Sequence, residues 1–315
     1  MILNIVLLII GFVILVKGAD IFVDGASSVA GNFKVPKILI GLTIVAFGTS
    51  APEFAVSIKS FVSNHYDIVL GNVIGSNILN ILLIVGISSL VHPLVVNNET
   101  IKKELPITIL FTILFAVLIS DSLYDPNIKN AFTRSDGVVL CLFFLIFIYY
   151  LLSIMHHKTE DEKTEYLPLI KSIIFTVLGI ALIVLGSNLV VNNAASIATV
   201  LGVSERLISL TIVALGTSLP ELVTSVSATL KKEYEIAIGN VIGSNIFNIG
   251  IVLGLPVTIF GGIYKIGFSY IDLMVMILSA ILLFCFALSK RNVNKREGII
   301  FLIIFVIYYS YVIFV

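Results

Sequence analysis

Two long segments of this chain occur twice, in the same order and with the same spacing. Residues 41–53 read GLTIVAFGTSAPE and residues 209–221 read SLTIVALGTSLPE, with ten of thirteen positions identical. Residues 71–81, GNVIGSNILNI, and residues 239–249, GNVIGSNIFNI, agree at ten of eleven positions. Both pairs are separated by 168 residues. The chain is therefore predicted to fold as two structurally equivalent halves.

The composition restricts the class of protein. Apolar residues make up 58% of the 315 residues and charged residues 12%, whereas a soluble globular chain carries about 25% charged and roughly 45–50% apolar residues. These values exclude a soluble enzyme and indicate a protein that resides in the lipid bilayer. The 19 Lys and Arg residues are balanced by 19 Asp and Glu residues. No basic excess is present to bind a phosphate backbone, so no nucleic-acid partner is expected.

The apolar residues form stretches that can cross a membrane. A hydrocarbon core about 30 Å thick is spanned by roughly 20 residues of helix. Ten stretches between polar breaks come near or exceed this length: residues 2–29, 36–62, 67–91, 105–121, 135–155, 168–199, 205–230, 236–260, 267–289 and 297–314. The sequence thus predicts an all-α polytopic membrane protein with ten transmembrane helices.

The repeat divides these helices into two sets of five. Residues 1–155 are the predicted first repeat, residues 169–315 the second, and the charged segment 156–168 a short cytoplasmic linker. Because five crossings is an odd number, equivalent helices run in opposite directions, and the repeats are inverted across the membrane plane. Inverted repeats with interrupted helices recur in secondary transporters, whose binding site lies where the repeats meet.

Loop charge predicts the orientation in the membrane. If the N-terminus is outside, thirteen loop Lys and Arg residues face the cytoplasm and four face the exterior. Cytoplasmic loops carry the excess of positive residues in membrane proteins. Both termini are therefore predicted to be extracellular.

Two acidic residues occur deep inside predicted helices. Glu53 and Glu221 occupy the same position of the repeated segment, and an acid at this depth costs about 3 kcal/mol on insertion scales. A pair of carboxylates where inverted repeats meet suits a divalent cation such as Ca²⁺. The absence of His or Cys beside them disfavours Zn²⁺ or Cu⁺. The alternative is a protonated pair that links helices by hydrogen bonds.

A proline precedes each glutamate. Pro52 and Pro220 lack a backbone donor and clash with the carbonyl four residues earlier, so each helix is expected to open in the preceding Ala-x-Gly-Thr-Ser segment. Irregular backbone at this depth requires a polar partner. The backbone carbonyls that become candidate ion ligands are those of Ala46, Thr49, Ala214 and Thr217.

The second repeated block supplies side-chain oxygens at helical spacing. Residues four apart share a helix face, and the candidate ion ligands on this face are Ser76, Asn80, Ser244 and Asn248. Interhelical hydrogen bonds and packing are the expected roles of Asn72, Asn77, Asn240 and Asn245. A GxxxG pair at Gly71 and Gly75 recurs at Gly239 and Gly243 and favours close helix approach.

The remaining acids are interpreted as peripheral. Asp20 and Asp24 lie near the cytoplasmic end of the first helix, where solvation at the interface or a cation vestibule would explain them. Their repeat equivalents are Asn188 and Asn192. Glu104 falls at a helix end and is expected to be a boundary charge.

The two GTS-x-PE blocks and the two GNVIGSN blocks resemble the paired repeats of prokaryotic sodium/calcium exchangers in the cation/calcium antiporter (CaCA) superfamily, over nearly the whole chain. The resemblance implies that Ca²⁺ lies between Glu53 and Glu221 with the threonine carbonyls, and that Na⁺ uses overlapping sites nearer the serines and alanine carbonyls. It also implies that the first helix of each repeat slides across the rest. The ion-binding positions it implies are Ala46, Thr49, Ser50, Glu53, Ser76 and Asn80, then Ala214, Thr217, Ser218, Glu221, Ser244 and Asn248.

The chain departs from the family pattern at one pair of positions. Many relatives, including potassium-dependent ones, have an Asp at one of the positions held here by Asn80 and Asn248. Two full carboxylates then remain in the site, and no K⁺ requirement is expected.

These inferences predict a secondary antiporter that exchanges Na⁺ for Ca²⁺ across the cell membrane of a prokaryote, with Ca²⁺/H⁺ exchange at the same site as the alternative. A cation channel would need a continuous wet pore, and an enzyme would need a nucleophile–base pair or a metal centre. No His lies deep in a predicted helix. No catalytic residue, no cofactor and no required protein partner are expected, so the partners are the two ions and the lipid bilayer.

Overall fold

The architecture is nearly all helical. The computed structural model describes residues 1–125, 127, 129–155, 166–202, 214–264 and 269–314. The helices of the first half are α1 (Ile2–Phe33), α2 (Lys37–Thr49), α3 (Ala51–Val62), α4 (Tyr66–Val91), α5 (Asn98–Lys102), α6 (Glu104–Leu118), α7 (Asp121–Tyr124) and α8 (Arg134–Met155). Those of the second half are α9 (Leu169–Val200), α10 (Ala214–Thr217), α11 (Leu219–Leu230), α12 (Tyr234–Phe260), α13 (Tyr270–Lys290) and α14 (Lys295–Phe314).

Most of these helices are long and apolar enough to cross a membrane. Seven helices in the described ranges meet this condition, or eight if the bent pair α2 and α3 counts as one span. Helix α6 has 15 residues, fewer than the roughly 20 of a full crossing. The residues 203–213, which would complete the span that contains α10, lie outside the described part. Ten crossings therefore remain a prediction, whereas the multi-pass helical architecture is established.

Helices α4 and α12, which carry the GNVIGSN blocks, form the centre of the protein. In the most apolar window of each helix, 72% of the residues in α4 and 94% of those in α12 are buried, against 22% in α1 and 11% in α14. The outer helices therefore present apolar side chains to lipid, while the polar motif is fully buried in α12 and largely buried in α4.

Both predicted helix breaks are confirmed. Helices α2 and α3 are separated only by Ser50, and their axes differ by 46°. Helices α10 and α11 are separated only by Ser218. Pro52 and Pro220 are the second residues of the helices that follow, positions at which a missing backbone donor does no harm.

Within the described ranges, three helices also contain a π-helical stretch. The stretch is Gly41–Val45 in α2, Asn80–Val85 in α4 and Asn248–Leu253 in α12. In α4 and α12 it begins at the repeat-equivalent asparagines that the sequence analysis proposed as ligands. Such wider turns often occur at functional sites.

Helices α1 and α9 pack against each other in opposite directions through glycines. The glycines recur every seven residues: Gly11, Gly18 and Gly25 in α1, and Gly179 and Gly186 in α9. A Cβ atom added to Gly25 would lie 2.5 Å from the backbone nitrogen of Thr176, and one added to Gly179 would lie 2.5 Å from Phe22 Cβ. The two backbones can approach this closely only because side chains are absent.

The second GxxxG motif makes the close contact that the sequence predicted. A Cβ atom added to Gly239 of α12 would lie 2.9 Å from Gly41 Cα of α2, and Gly243 is equally tight. The first motif differs, since no described atom lies within 4 Å of a Cβ atom added to Gly71 or Gly75. Helix α12 therefore crosses α2 at van der Waals distance, and the expected approach at the first motif is not seen among the described residues.

Short β contacts join the helix connections. Strand β1 (Leu94–Val95) pairs antiparallel with strand β2 (Asn292–Val293) on the predicted cytoplasmic side. A single bridge joins Phe132 and Ile263 on the other side. The expectation of an all-α fold is thus correct except for these contacts between loops.

The two ends of the α1–α9 pair differ in burial. Residues 25–30, in the second half of α1, are all buried. The equivalent residues of α9, 193–198, include the exposed Ser196 and the partly exposed Ala194, Ala195 and Ile197. The second half of α1 is therefore more fully covered by protein than the second half of α9.

The glycine contact between α1 and α9 predicts a position-specific effect on stability. We expect Gly179→Ala to lower the melting temperature in detergent, because overpacking of this kind costs about 1–3 kcal/mol. Gly71→Ala is the matched control. It also replaces a glycine within a helix, but the added Cβ atom meets open space. Equal melting temperatures for the two variants would contradict the described packing.

Candidate ion-binding site

Each of the two deep glutamates lies in the first turn of a helix that begins inside the protein. Glu53 is the third residue of α3 and Glu221 the third residue of α11, and each is 1% exposed. The N-terminus of a helix carries partial positive charge from its unpaired N–H groups and stabilises a nearby carboxylate. The proline-associated break therefore provides both the acid and a favourable electrostatic environment for it.

The serine three residues before each glutamate bonds across the protein. The Ser-x-x-Glu spacing is that of a capping box, in which the serine would cap its own helix, but neither serine makes that bond. Instead, Ser50 Oγ donates to Glu221 Oε1 at 2.8 Å, and Ser218 Oγ donates to Glu53 Oε1 at 3.4 Å. The two bonds are equivalent by repeat position. They bring the two acids together in the interior, away from lipid.

The same region contains buried oxygens without a hydrogen-bond partner. They include the second carboxylate oxygen, Oε2, of both Glu53 and Glu221. Ser244 Oγ, Asn80 Oδ1 and Asn248 Oδ1 are also buried and unpartnered. Buried polar atoms are satisfied in nearly all native proteins. A set of oxygens of this kind has the donor chemistry of a Na⁺ or Ca²⁺ site.

The side-chain ligands predicted from the second block are all buried. Ser76 Oγ of α4 lies 3.4 Å from Ser218 Oγ, so it adjoins the cross-paired group. Asn80 lies one turn further along the same face and is 1% exposed. Ser244 and Asn248 hold the equivalent positions on α12 and are 0% and 1% exposed.

The backbone candidates differ from the expectation in one respect. The Ala46 carbonyl still accepts the Ser50 N–H at 3.0 Å, because the helix continues to Thr49 before it breaks. The expectation that the break frees this carbonyl from its helical bond is therefore wrong, and an ion would have to use the second lone pair of the oxygen. Thr217 ends α10, which begins at Ala214, so both lie on the short helix before the second break.

The first asparagine of each GNVIGSN block holds the backbone of a glutamate. Asn72 Nδ2 donates to the Glu53 carbonyl at 3.0 Å, and Asn240 Nδ2 donates to the Glu221 carbonyl at 3.3 Å. Each amide also donates to a serine one turn after that glutamate. The expected role of these two asparagines in interhelical hydrogen bonding is confirmed.

A third buried acid lies apart from this group. Glu104, the first residue of α6, is 2% exposed and accepts a hydrogen bond from the Tyr150 hydroxyl of α8. Glu104 lies at a helix end, as the sequence predicts, but it is buried there. Its position at a helix start gave no sign that a tyrosine from another helix covers it.

The buried polar residues around Glu53 and Glu221 include only these two acids among the described residues. Across the described ranges, no cluster of three or more His, Cys, Asp or Glu side chains has a geometry suited to a metal ion. The arrangement thus combines two carboxylates with neutral hydroxyl, amide and carbonyl oxygens. Fewer charged ligands mean weaker cation binding, which suits an ion that must also leave.

Known proteins match the chain over almost its full length. The family described as "Sodium/calcium exchanger protein" matches residues 3–153 and 171–314. The chain belongs to the sodium/calcium exchanger family. The resemblance inferred from the two repeated blocks is thereby confirmed, and the protein is a multi-pass cation/calcium antiporter from a family of transporters.

Individual relatives agree with this membership. The putative antiporter CaxA of Alkalimonas amylolytica is 40% identical over 98% of both chains. The sodium/calcium exchanger MaX1 of Methanosarcina acetivorans is 33% identical over 96% of both chains. A solved structure of the sodium-calcium exchanger NCX_Mj, soaked with Na⁺ and Sr²⁺, matches with a TM-score of 0.85 and 31% identity over 98% of each chain. The similarity therefore extends to the whole helical arrangement of this exchanger.

Proposed function

We propose that this chain exchanges Na⁺ for Ca²⁺ across a prokaryotic cell membrane, and that the ions bind between Glu53 and Glu221 at the middle of the bilayer. The observation that carries the proposal is the cross-pairing of the two glutamates with the serines of the opposite half, which leaves one buried oxygen of each carboxylate unpartnered. The ligand set we assign is Glu53, Glu221, Thr49, Thr217, Ser50, Ser218, Ser76, Ser244, Asn80, Asn248, Ala46 and Ala214.

Charge balance supports Ca²⁺ as one substrate. Two carboxylates neutralise one Ca²⁺ ion, and Ca²⁺ binds six to eight oxygen ligands. The two unpartnered Oε2 atoms, together with nearby hydroxyl, amide and backbone oxygens, supply a set of this size. Because no third acid adjoins them in the described ranges, Ca²⁺ leaves the site close to neutral.

The neutral oxygens support Na⁺ as the counter-ion. A proton would need only the carboxylates, whereas the unpartnered atoms of Ser244, Asn80 and Asn248 are suited to a hard metal cation. Relatives named as sodium/calcium exchangers support the same choice. Since Asn80 and Asn248 are neutral, we propose that exchange does not require K⁺.

Obligatory exchange follows from the cost of moving the site while it is empty. With Ca²⁺ or Na⁺ bound, the carboxylates are compensated and the carrier can change its access. Without ions, two uncompensated charges would have to pass through a dry barrier. A penalty of about 4 kcal/mol would slow this leak roughly 1,000-fold.

Alternating access is supported by the contrast between the α1 and α9 ends and by the glycines between these helices. Close contact without interlocking side chains allows one helix pair to slide across the rest of the protein. We propose that α1 and α9 make this movement, that residues 1–155 and 169–315 are the inverted repeats joined by the linker 156–168, and that both termini are extracellular.

Ca²⁺ uptake into proteoliposomes tests the function. With Na⁺, K⁺ and pH gradients imposed separately, we expect ⁴⁵Ca²⁺ uptake to require an outward Na⁺ gradient and to proceed without K⁺. Glu53→Gln and Glu221→Gln should each reduce uptake at least tenfold, since losing one of two neutralising charges costs more than about 1.4 kcal/mol.

Glu99→Gln is the matched control for these variants, because the Glu99 side chain is 66% exposed outside the site. Gel filtration and melting temperature verify that each variant folds. Uptake driven by a pH gradient alone would identify Ca²⁺/H⁺ exchange instead. Full uptake by either site variant would contradict the assigned ligands.

Protons should compete with the transported ions. Each proton bound to Glu53 or Glu221 removes one of the charges that hold Ca²⁺, so we expect the apparent KM for Ca²⁺ to rise as pH falls below neutrality. The maximal rate should be recovered at high Ca²⁺ concentration. Initial uptake rates at constant Na⁺ gradient measure both quantities, and a KM that stays constant with pH would be inconsistent with an ionised carboxylate pair.

A further inference from the structure

The last residues of the two GNVIGSN blocks, Asn77 and Asn245, form a hydrogen bond whose direction is fixed. Asn245 Nδ2 donates to the backbone carbonyl of Asn77 at 3.4 Å. A backbone carbonyl can only accept a hydrogen bond. The NH₂ group of Asn245 must therefore face the Asn77 carbonyl, and its Oδ1 atom is available to accept a hydrogen bond from another group.

That orientation determines the position of the next amide. Asn80 Nδ2 donates to Asn245 Oδ1 at 2.9 Å, and both side chains are 1% exposed. Because the oxygen and nitrogen of an amide lie on opposite branches of one carbon, Asn80 Oδ1 is directed away from Asn245. That oxygen is buried and unpartnered.

The direction of the Asn80 oxygen matters because a cation binds an amide oxygen and is repelled by an NH₂ group. Asn80 lies one turn from Ser76, which adjoins Ser218 and the glutamates. We infer that Asn245 is a positioning residue of the ion site: it binds the NH₂ group of Asn80 and thereby turns the Asn80 oxygen toward the ion. This inference rests on the proposed site.

The repeat-equivalent hydrogen bond, from Asn248 to Asn77, is not formed in this structure. Asn77 and Asn248 are the repeat equivalents of Asn245 and Asn80. The two atoms that would form the equivalent bond, Asn248 Nδ2 and Asn77 Oδ1, are both buried and unpartnered. If the inverted halves exchange conformations during transport, the bond passes from the Asn80–Asn245 pair to the Asn248–Asn77 pair in the opposite access state.

A double-mutant cycle on Ca²⁺ binding tests the positioning role. In detergent-purified protein we expect Asn245→Leu to weaken Ca²⁺ binding about tenfold. Asn245→Leu added to Asn80→Ala should cause little further loss, because the first residue acts through the second. Asn245→Asp keeps an acceptor for Asn80 Nδ2 and loses the donor to the Asn77 carbonyl, so it should bind Ca²⁺ more tightly than Asn245→Leu.

Asn77→Leu is the matched control, because its side chain does not bond to Asn80 in this structure. Its effect should add to that of Asn80→Ala. Additive losses for Asn245→Leu and Asn80→Ala, or unchanged binding by Asn245→Leu, would overturn the inference. Because the assay uses Ca²⁺ alone, a transport result in favour of H⁺ exchange does not affect it. A parent chain that binds no Ca²⁺ would overturn the proposed site and this inference together.

A second, independent observation concerns Asp20 and Asp24 of α1. Ser227 Oγ of α11 donates to Asp20 Oδ1 at 2.7 Å. Lys231 Nζ, directly after α11, lies 2.6 Å from both Asp24 Oδ1 and the Asp20 carbonyl. These two acids are therefore neither simply solvated nor free. They attach the second half of α1 to the end of α11.

The loop that follows α11 adds a further attachment. Ser27 Oγ of α1 donates to Glu233 Oε1 at 2.7 Å, and Glu233 pairs with Lys37 at 3.0 Å. All these contacts lie on the predicted cytoplasmic side, where the second half of α1 is buried. We refer to Asp20, Asp24, Ser227 and Lys231 as the α1–α11 polar cluster.

The repeat-equivalent positions on the opposite face cannot form such a cluster. The repeat equivalents of Asp20, Asp24 and Lys231 are Asn188, Asn192 and Ser63, and that of Ser227 is Lys59, so these positions hold no acid to pair with a base. Asn188 and Asn192 are exposed. The two halves are thus nearly identical around the glutamates but differ in charge at the ends of the sliding helices.

We propose that the α1–α11 polar cluster holds the cytoplasmic side closed and biases the carrier toward the state that is open on the other side. The charges stabilise only one of two otherwise equivalent arrangements, so their removal shifts the population toward the other arrangement. The two acids therefore set the access equilibrium without contacting the transported ion.

Cysteine labelling measures this bias directly. In a chain with Cys141→Ala, Cys285→Ala and Asn192→Cys, a membrane-impermeant maleimide reports access to the open side. We expect Lys231→Gln to slow labelling about threefold or more, and the exchanged pair Asp24→Lys with Lys231→Asp to restore it.

Lys232→Gln is the matched control, since Lys232 makes no ion pair in the part of the chain that the structure describes. Labelling that is unchanged by Lys231→Gln, or not restored by the exchanged pair, would overturn the proposal. The measurement needs no transport, so its outcome is independent of which ions are exchanged.

Discussion

The rest of this structure depends on the burial of two negative charges in a membrane interior that cannot solvate them. A lone carboxylate at that depth is expensive unless it is paired and hydrogen-bonded. Each glutamate is therefore located at a helix N-terminus created by a proline-associated break and accepts a hydrogen bond from the serine of the other half. One oxygen of each acid stays unpartnered, and in the proposed function a transported cation completes the compensation.

The internal repeat explains why the two glutamates have equivalent partners. The departures from the repeat are the features that would distinguish the two access states of the proposed carrier. The bonds from Ser50 and Ser218 to the glutamate of the other half are equivalent. In contrast, Asn80 is bonded to Asn245 while Asn248 is free. Among the described residues, an ion pair attaches the second half of α1 to the end of α11, and none attaches the second half of α9. The surroundings of the two glutamates are therefore nearly symmetric, whereas the contacts of Asn80 and of the second half of α1 are not.

Much of the fold could be predicted from the sequence because membrane depth and duplication leave few alternatives. The helix breaks followed from Pro52 and Pro220, and the burial of Glu53 and Glu221 followed from their position in apolar runs. The serine cross-pairing could not be predicted, because its Ser-x-x-Glu spacing is that of a local helix cap. The partners of Asp20 and Glu104 lie on distant helices, and their identity depends on how the halves pack together. A single sequence does not contain that packing geometry.

The most direct test of the central claim is anomalous diffraction from crystals of this protein grown with Sr²⁺ as a Ca²⁺ substitute. The account predicts one strong peak between the two acids, within about 2.3–2.7 Å of Glu53 Oε2 and of Glu221 Oε2, and its loss in Glu53→Gln crystals. A peak that contacts neither carboxylate, or that persists unchanged in that variant, would contradict it.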